Sequence, residues 1–135
     1  MVQNSDASSG PGGDSFGGVL DLGIMDQLLG LDDGELGLLE EMLALYQEDT
    51  PDRIVALAAT LSSGEMSDMA DVAHAIKGAA STMGAPKVRA IAAEMEAAGR
   101  LGKFEADPVQ VLEQLKAAYA QSVVALEGFI AKRKA

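Results

Sequence analysis

The chain has no cysteine, no tryptophan and a single histidine in 135 residues. Without cysteine, disulfides, thiolate metal sites and thiol nucleophiles are excluded. Aromatic residues are sparse, with Phe16, Phe104, Phe129, Tyr46 and Tyr119 making up the whole set. Strands are usually rich in β-branched and aromatic residues, so this scarcity, beside abundant leucine, alanine and methionine, favours packed helices over sheets. Basic residues are also few, ten against 21 acidic ones, for a formal net charge of -11. That charge opposes binding to nucleic acid or anionic lipid, and the short Lys132-Arg133-Lys134 tail is too small a basic patch to reverse it. No apolar run approaches the roughly 20 residues of a membrane span, and the amino terminus lacks the basic-then-apolar order of a signal peptide. A soluble, cytoplasmic protein is the expectation.

What the chain does have is enough apolar residues, 48%, for one domain with its own core. Residues 1–17 are mostly Ser, Gly, Asp and Asn and read as a disordered leader, leaving 18–135 as the folded domain. A short helix is expected from Val19 to Leu29, ended by Gly30. Asp32 with Glu35 resembles a capping box for the next helix, whose buried stripe would be Leu38, Leu39, Met42, Leu45 and Tyr46. Apolar spacing resumes beyond Pro51 at Ile54, Leu57 and Leu61, which fits one long helix kinked at the proline or two abutting ones, the single helix being favoured, closed by Ser62-Ser63-Gly64. A helix from about Glu65 to Ser67 should then run to Gly84, and another from Pro86 to about Gly99. Asp107-Pro108 is an N-cap and first-turn pair that opens the last helix. The pattern predicts an all-α fold, an antiparallel four-helix bundle with a short additional N-terminal helix.

The lone His74 heads the string His74-Ala75-Ile76-Lys77-Gly78-Ala79-Ala80-Ser81-Thr82-Met83-Gly84. On a helix, Lys77, Gly78 and Ser81 fall within roughly 60° of His74, with Ala70 and Asp71 one turn earlier on the same side. Met69, Val72, Ala73, Ile76, Ala79, Ala80 and Met83 project the other way, so His74 should face solvent. An exposed neutral imidazole keeps a lone pair on one ring nitrogen and can act as a nucleophile. Gly78 costs the helix about 1 kcal/mol relative to alanine, and removing a side chain beside His74 would admit another protein's active site.

That string resembles the signature of histidine phosphotransfer (HPt) domains, in which lysine follows the histidine by three residues, then come glycine, small residues and a closing glycine, here Gly84. The resemblance covers nearly all of residues 20 to 132 and suggests a free-standing bacterial member. It implies that His74 receives a phosphoryl group from a receiver-domain aspartate and passes it to another response regulator, with a sensor or hybrid histidine kinase upstream. Lys77 would steady the phosphoryl oxygens, and Ala70, Asp71 and Ser81 would meet the partner. Many members carry a glutamate on the following helix about where Glu96 stands. Such a carboxylate would fix the tautomer of His74 and turn the reactive nitrogen outward. Mg2+ is expected in the receiver partner, with no cofactor or metal held by this chain. The expected role is that of a phosphoryl carrier without autonomous kinase activity, working as a monomer.

The competing reading is a helical interaction adaptor in which His74 has no covalent role. An acyl carrier would need its serine ahead of a helix in an Asp-Ser-Leu context, which Asp14-Ser15-Phe16 does not match. A carboxylate-bridged metal bundle would need a second histidine.

Overall fold

The computed structural model describes residues 18–135. The expected leader and Asp14-Ser15-Phe16 lie outside the described residues. Five helices follow in order: α1 (Leu22–Leu31), α2 (Gly37–Ser63), α3 (Met66–Met83), α4 (Pro86–Leu101) and α5 (Pro108–Lys134), with no strand among the described residues. Helices α2 to α5 form the bundle, with α3 between α2 and α4, and α5 closing the ring against both. The expected all-α bundle with a short leading helix is what the chain forms.

Local chemistry sets most of the boundaries. Asp107 caps α5 by accepting a bond from the Val109 amide at 3.0 Å, with Pro108 in the first turn. Gly64, Gly84 and Gly102 each end a helix in the left-handed conformation, where a side chain would be strained. Gly84 has a second reason to be glycine. The Asp21 amide donates to its carbonyl at 2.7 Å, and an added Cβ would stand 3.1 Å from that of Ile24, so α1 is seated directly on the end of α3.

Two boundaries differ from the sequence reading. Helix α1 starts at Leu22, because the Asp21 carboxylate caps it through the Ile24 amide, and it runs through Gly30 to Leu31. The expected capping box does not form. Glu35 precedes the helix, and Asp32 instead reaches six residues on to accept from the Leu38 amide at 3.0 Å. Helix α2 passes through Pro51 unbroken for 27 residues, as one long helix. Proline removes one backbone donor, so packing on both sides must hold this stretch together.

The core has two parts. Near the middle of the bundle, Leu57, Met69, Ile76, Val88, Met95 and Leu115 are fully enclosed. At the α1 end, Met25, Leu39, Tyr46, Met83 and Leu126 form the other, where the Tyr46 and Tyr119 rings sit 5.1 Å apart. Leu45 does not join the buried stripe expected of α2. It is 58% exposed, because its angle on the helix places it beyond the edge of the α2–α3 contact.

Candidate functional site

The site lies on α3 and α4, the most closely associated helix pair in the bundle. Gly99 explains their closeness. A Cβ there would come within 2.7 Å of both the Ala70 Cβ and the Met66 carbonyl oxygen, so the backbones meet where neither residue has bulk. This overturns one expectation for the site. Ala70 shares a helical side with His74, yet it is fully buried beneath α4 and presents nothing to a partner. The helical wheel places a residue on a face of its own helix, and only the neighbouring helix decides whether that face is covered.

One turn back from Gly99, α4 delivers Glu96 to the histidine. Its Oε2 lies 2.9 Å from His74 Nδ1, and its Oε1 accepts from the Lys77 ammonium at 2.7 Å. The carboxylate side chain is only 16% exposed, whereas His74 is 63% exposed. The Lys77 ammonium, followed by the His74 ring, holds the Glu96 carboxyl below the usual carboxylate value, against the opposing effect of burial. An ionised Glu96 can only accept, so the proton of the ring belongs on Nδ1. Nε2 is then left with its lone pair, on the outward side of an exposed ring.

Arg100, one turn beyond Glu96, extends the network. Its guanidinium pairs with Asp71 at 3.0 Å and lies 3.9 Å from Glu96. Asp71 is therefore exposed as expected but engaged with a residue that sequence reasoning did not single out. The available signal was the four-residue spacing from Glu96 to Arg100, which puts both on one face of α4. On the other side of His74, the Ser81 hydroxyl donates to the Lys77 carbonyl at 2.9 Å and accepts from Arg89 Nε at 3.0 Å. Gly78 is exposed, and a Cβ placed there would meet nothing within 4 Å. Neighbouring helices therefore do not account for this glycine. The structure brings His74, Lys77, Gly78, Glu96, Asp71 and Ser81 onto one surface and withdraws Ala70.

Beside Gly78, toward α2, the surface dips into a cavity of about 180 Å³ lined by Leu45, Asp49, Arg53, Ala79 and Thr82 among others. Its apolar rim departs from the sequence expectation, which puts Leu45 in the buried stripe of α2.

A helical bundle displaying one oriented histidine, with a bare backbone beside it, defines the class of phosphoryl-carrier bundles. The comparisons give the family: a family model described as Hpt domain matches residues 41–125, and the chain belongs to that family. Its role is histidine phosphotransfer in a phosphorelay. The fold is shared with histidine-containing phosphotransfer protein B (HptB) from Pseudomonas aeruginosa PAO1, at 24% identity and a TM-score of 0.73, over 84% of this chain and 96% of that one. No curated protein sequence matches significantly. Among the described residues, no helix is long and apolar enough to cross a membrane.

Proposed function

We propose that His74 Nε2 is the atom that carries the phosphoryl group. The observation that carries this reading is the Nδ1 bond to Glu96, which leaves the distal nitrogen basic, exposed and aimed at solvent. In the docked complex, Nε2 attacks the phosphorus of a receiver aspartyl phosphate in line. The N–P bond forms as the P–O bond breaks, and the electron pair leaves with the aspartate carboxylate. Positive charge developing on the imidazole is balanced by Glu96 across the ring. Donation to a second receiver reverses these steps, and the labile N–P bond suits onward transfer.

Lys77 and Gly78 serve that exchange in different ways. The ammonium of Lys77 rests on Glu96 and lies one helical turn from His74, near enough to swing to the phosphoryl oxygens once they arrive. Gly78 leaves α3 without a side chain where the partner's pocket must close over His74. Asp71 and Ser81 border the same surface, and the apolar cavity rim at Leu45 gives the receiver a place to bear. Mg2+ is supplied by the receiver's acidic pocket and no metal is required on this chain, which carries the group without making it. The partners are receiver domains, fed by a sensor or hybrid histidine kinase, and the setting is the cytoplasm.

The test is transfer from radiolabelled receiver phosphates, comparing wild type with His74→Gln. Acid-labile, base-stable label on the wild type and none on the variant is the expected result. Binding that survives in the variant, with no label on either form across receivers shown competent elsewhere, would move the role to an interaction adaptor.

A further inference from the structure

The solvent side of α5 is unlike the rest of this acidic molecule. Gln114, Ala117, Gln121, Val124, Gly128 and Ala131 recur at alternating spacings of three and four, all exposed, opposite the buried Leu115, Ser122 and Leu126. None is charged, although the chain as a whole carries -11. Such spacing produces a straight seam along a helix, as in coiled coils. Gly128 is exposed within this helix, where a glycine costs about 1 kcal/mol relative to alanine. Charged residues flank the seam instead, with Lys116 and Glu127 in the body of the helix and the others toward its two ends. Glu105 and Asp107 precede its start, Glu113 stands in its second turn, and Lys132, Arg133 and Lys134 form its last turn.

We propose that this seam pairs with the same seam of a second copy, antiparallel, about a two-fold axis between Gln121 and Val124. In that register Gln121 faces Val124, Ala117 faces Gly128, and Gln114 faces Ala131, so larger side chains meet smaller ones and the helices approach closely. The same register brings Glu113 of each copy to Lys132 and Lys134 of the other, twice by symmetry. A parallel pair would set acid on acid and base on base. Glu113 now pairs with Lys116 at 3.0 Å and Lys134 with Glu40 at 2.6 Å. Both pairs are largely solvated, so exchanging partners costs little. Helix α5 borders α2 and α4 and lies diagonally across the bundle from α3, which leaves His74 free in both copies.

Sedimentation velocity on the full chain, from micromolar to millimolar concentration, tests this directly. A reversible monomer–dimer equilibrium is expected, weakened at least about tenfold by Val124→Glu, which sets two carboxylates near the axis. Orientation is read by cross-linking, for which the absence of cysteine leaves no background. Mixed Ala117→Cys and Gly128→Cys chains should form the heterodimer disulfide in preference to either homodimer. A monomer at every concentration, a dimer indifferent to Val124→Glu, or a dominant 117–117 cross-link would overturn the proposal. Helical circular dichroism and label uptake at His74 should stay unchanged in every variant, so the pairing can fail without touching the phosphotransfer reading.

Discussion

One carboxylate governs the chemistry at His74 by holding two groups at once. Glu96 orients the ring through Nδ1 and keeps the Lys77 ammonium beside it. Glu96→Ala should slow phosphoryl transfer by about 10- to 100-fold, the usual effect of removing a carboxylate behind a working histidine, and by less than the loss of His74 itself. The ring should also lose its single tautomer, seen in the 15N shifts of the imidazole. An unchanged rate would make Glu96 an ordinary surface residue. Gly78 and Gly99 give the sharpest contrast at this scale, since both lie within helices and only one is packed. Gly78→Ala should stabilise the bundle by about 1 kcal/mol in urea unfolding, because its Cβ meets nothing. Gly99→Ala should destabilise it by about 1 to 3 kcal/mol despite the same gain in propensity, because its Cβ would press into backbone and Ala70. Gly78→Leu should keep the fold and block transfer from a receiver, whereas transfer at the wild-type rate would remove Gly78 from the docking surface.

Within α2, the weak point is the pair Thr50-Pro51. Thr50 is fully buried, and its hydroxyl has no hydrogen-bond partner among the described residues, next to a proline that has already removed a backbone donor. Burying such a group costs about 1 to 3 kcal/mol when nothing pays it back. Thr50→Val keeps the shape and removes the oxygen, so it should raise stability by roughly 1 kcal/mol, measured as a higher urea midpoint at constant slope. A lower midpoint would mean that solvent reaches the hydroxyl through the adjoining cavity. The element also shows why Leu45 was misplaced. Helical periodicity locates an apolar stripe to within about a turn, and where the stripe ends depends on how far α3 leans across it.

At the scale of the whole molecule, Tyr46 ties α2 to α5. Its hydroxyl donates to Ser122 Oγ at 2.8 Å, and Ser122 in turn donates to the Tyr119 carbonyl at 2.6 Å. Burial is the main cause that pushes the Tyr46 phenol up from 10.0 to about 12. The folded state therefore holds this proton more tightly than the unfolded chain does. Its contribution is complete below pH 10 and is lost as the pH rises through 12, a change of about 2 to 3 kcal/mol. Unfolding titrated between pH 9 and pH 12 should show this decline, and Tyr46→Phe should lack it while being less stable near neutrality by about 1 kcal/mol. Equal slopes in the two proteins would mean that the phenol ionises without unfolding cost.

Much of this protein is determined by sequence alone, because the decisive signals are local. Helix ends follow from Gly64, Gly84, Asp107 and Pro108, each of which acts on its own backbone. The solvent-facing direction of His74 follows from 3.6-residue periodicity, and the bundle follows from apolar stripes on four long helices. The tertiary structure decided whatever depends on how close two helices come. It buried Ala70 by bringing Gly99 over it, exposed Leu45, introduced Arg100 to Asp71, and set Glu96 at 2.9 Å from the ring. Periodicity supplies a direction around one axis, whereas a hydrogen bond between helices requires the distance between two, and that distance is set by the small residues packed between them.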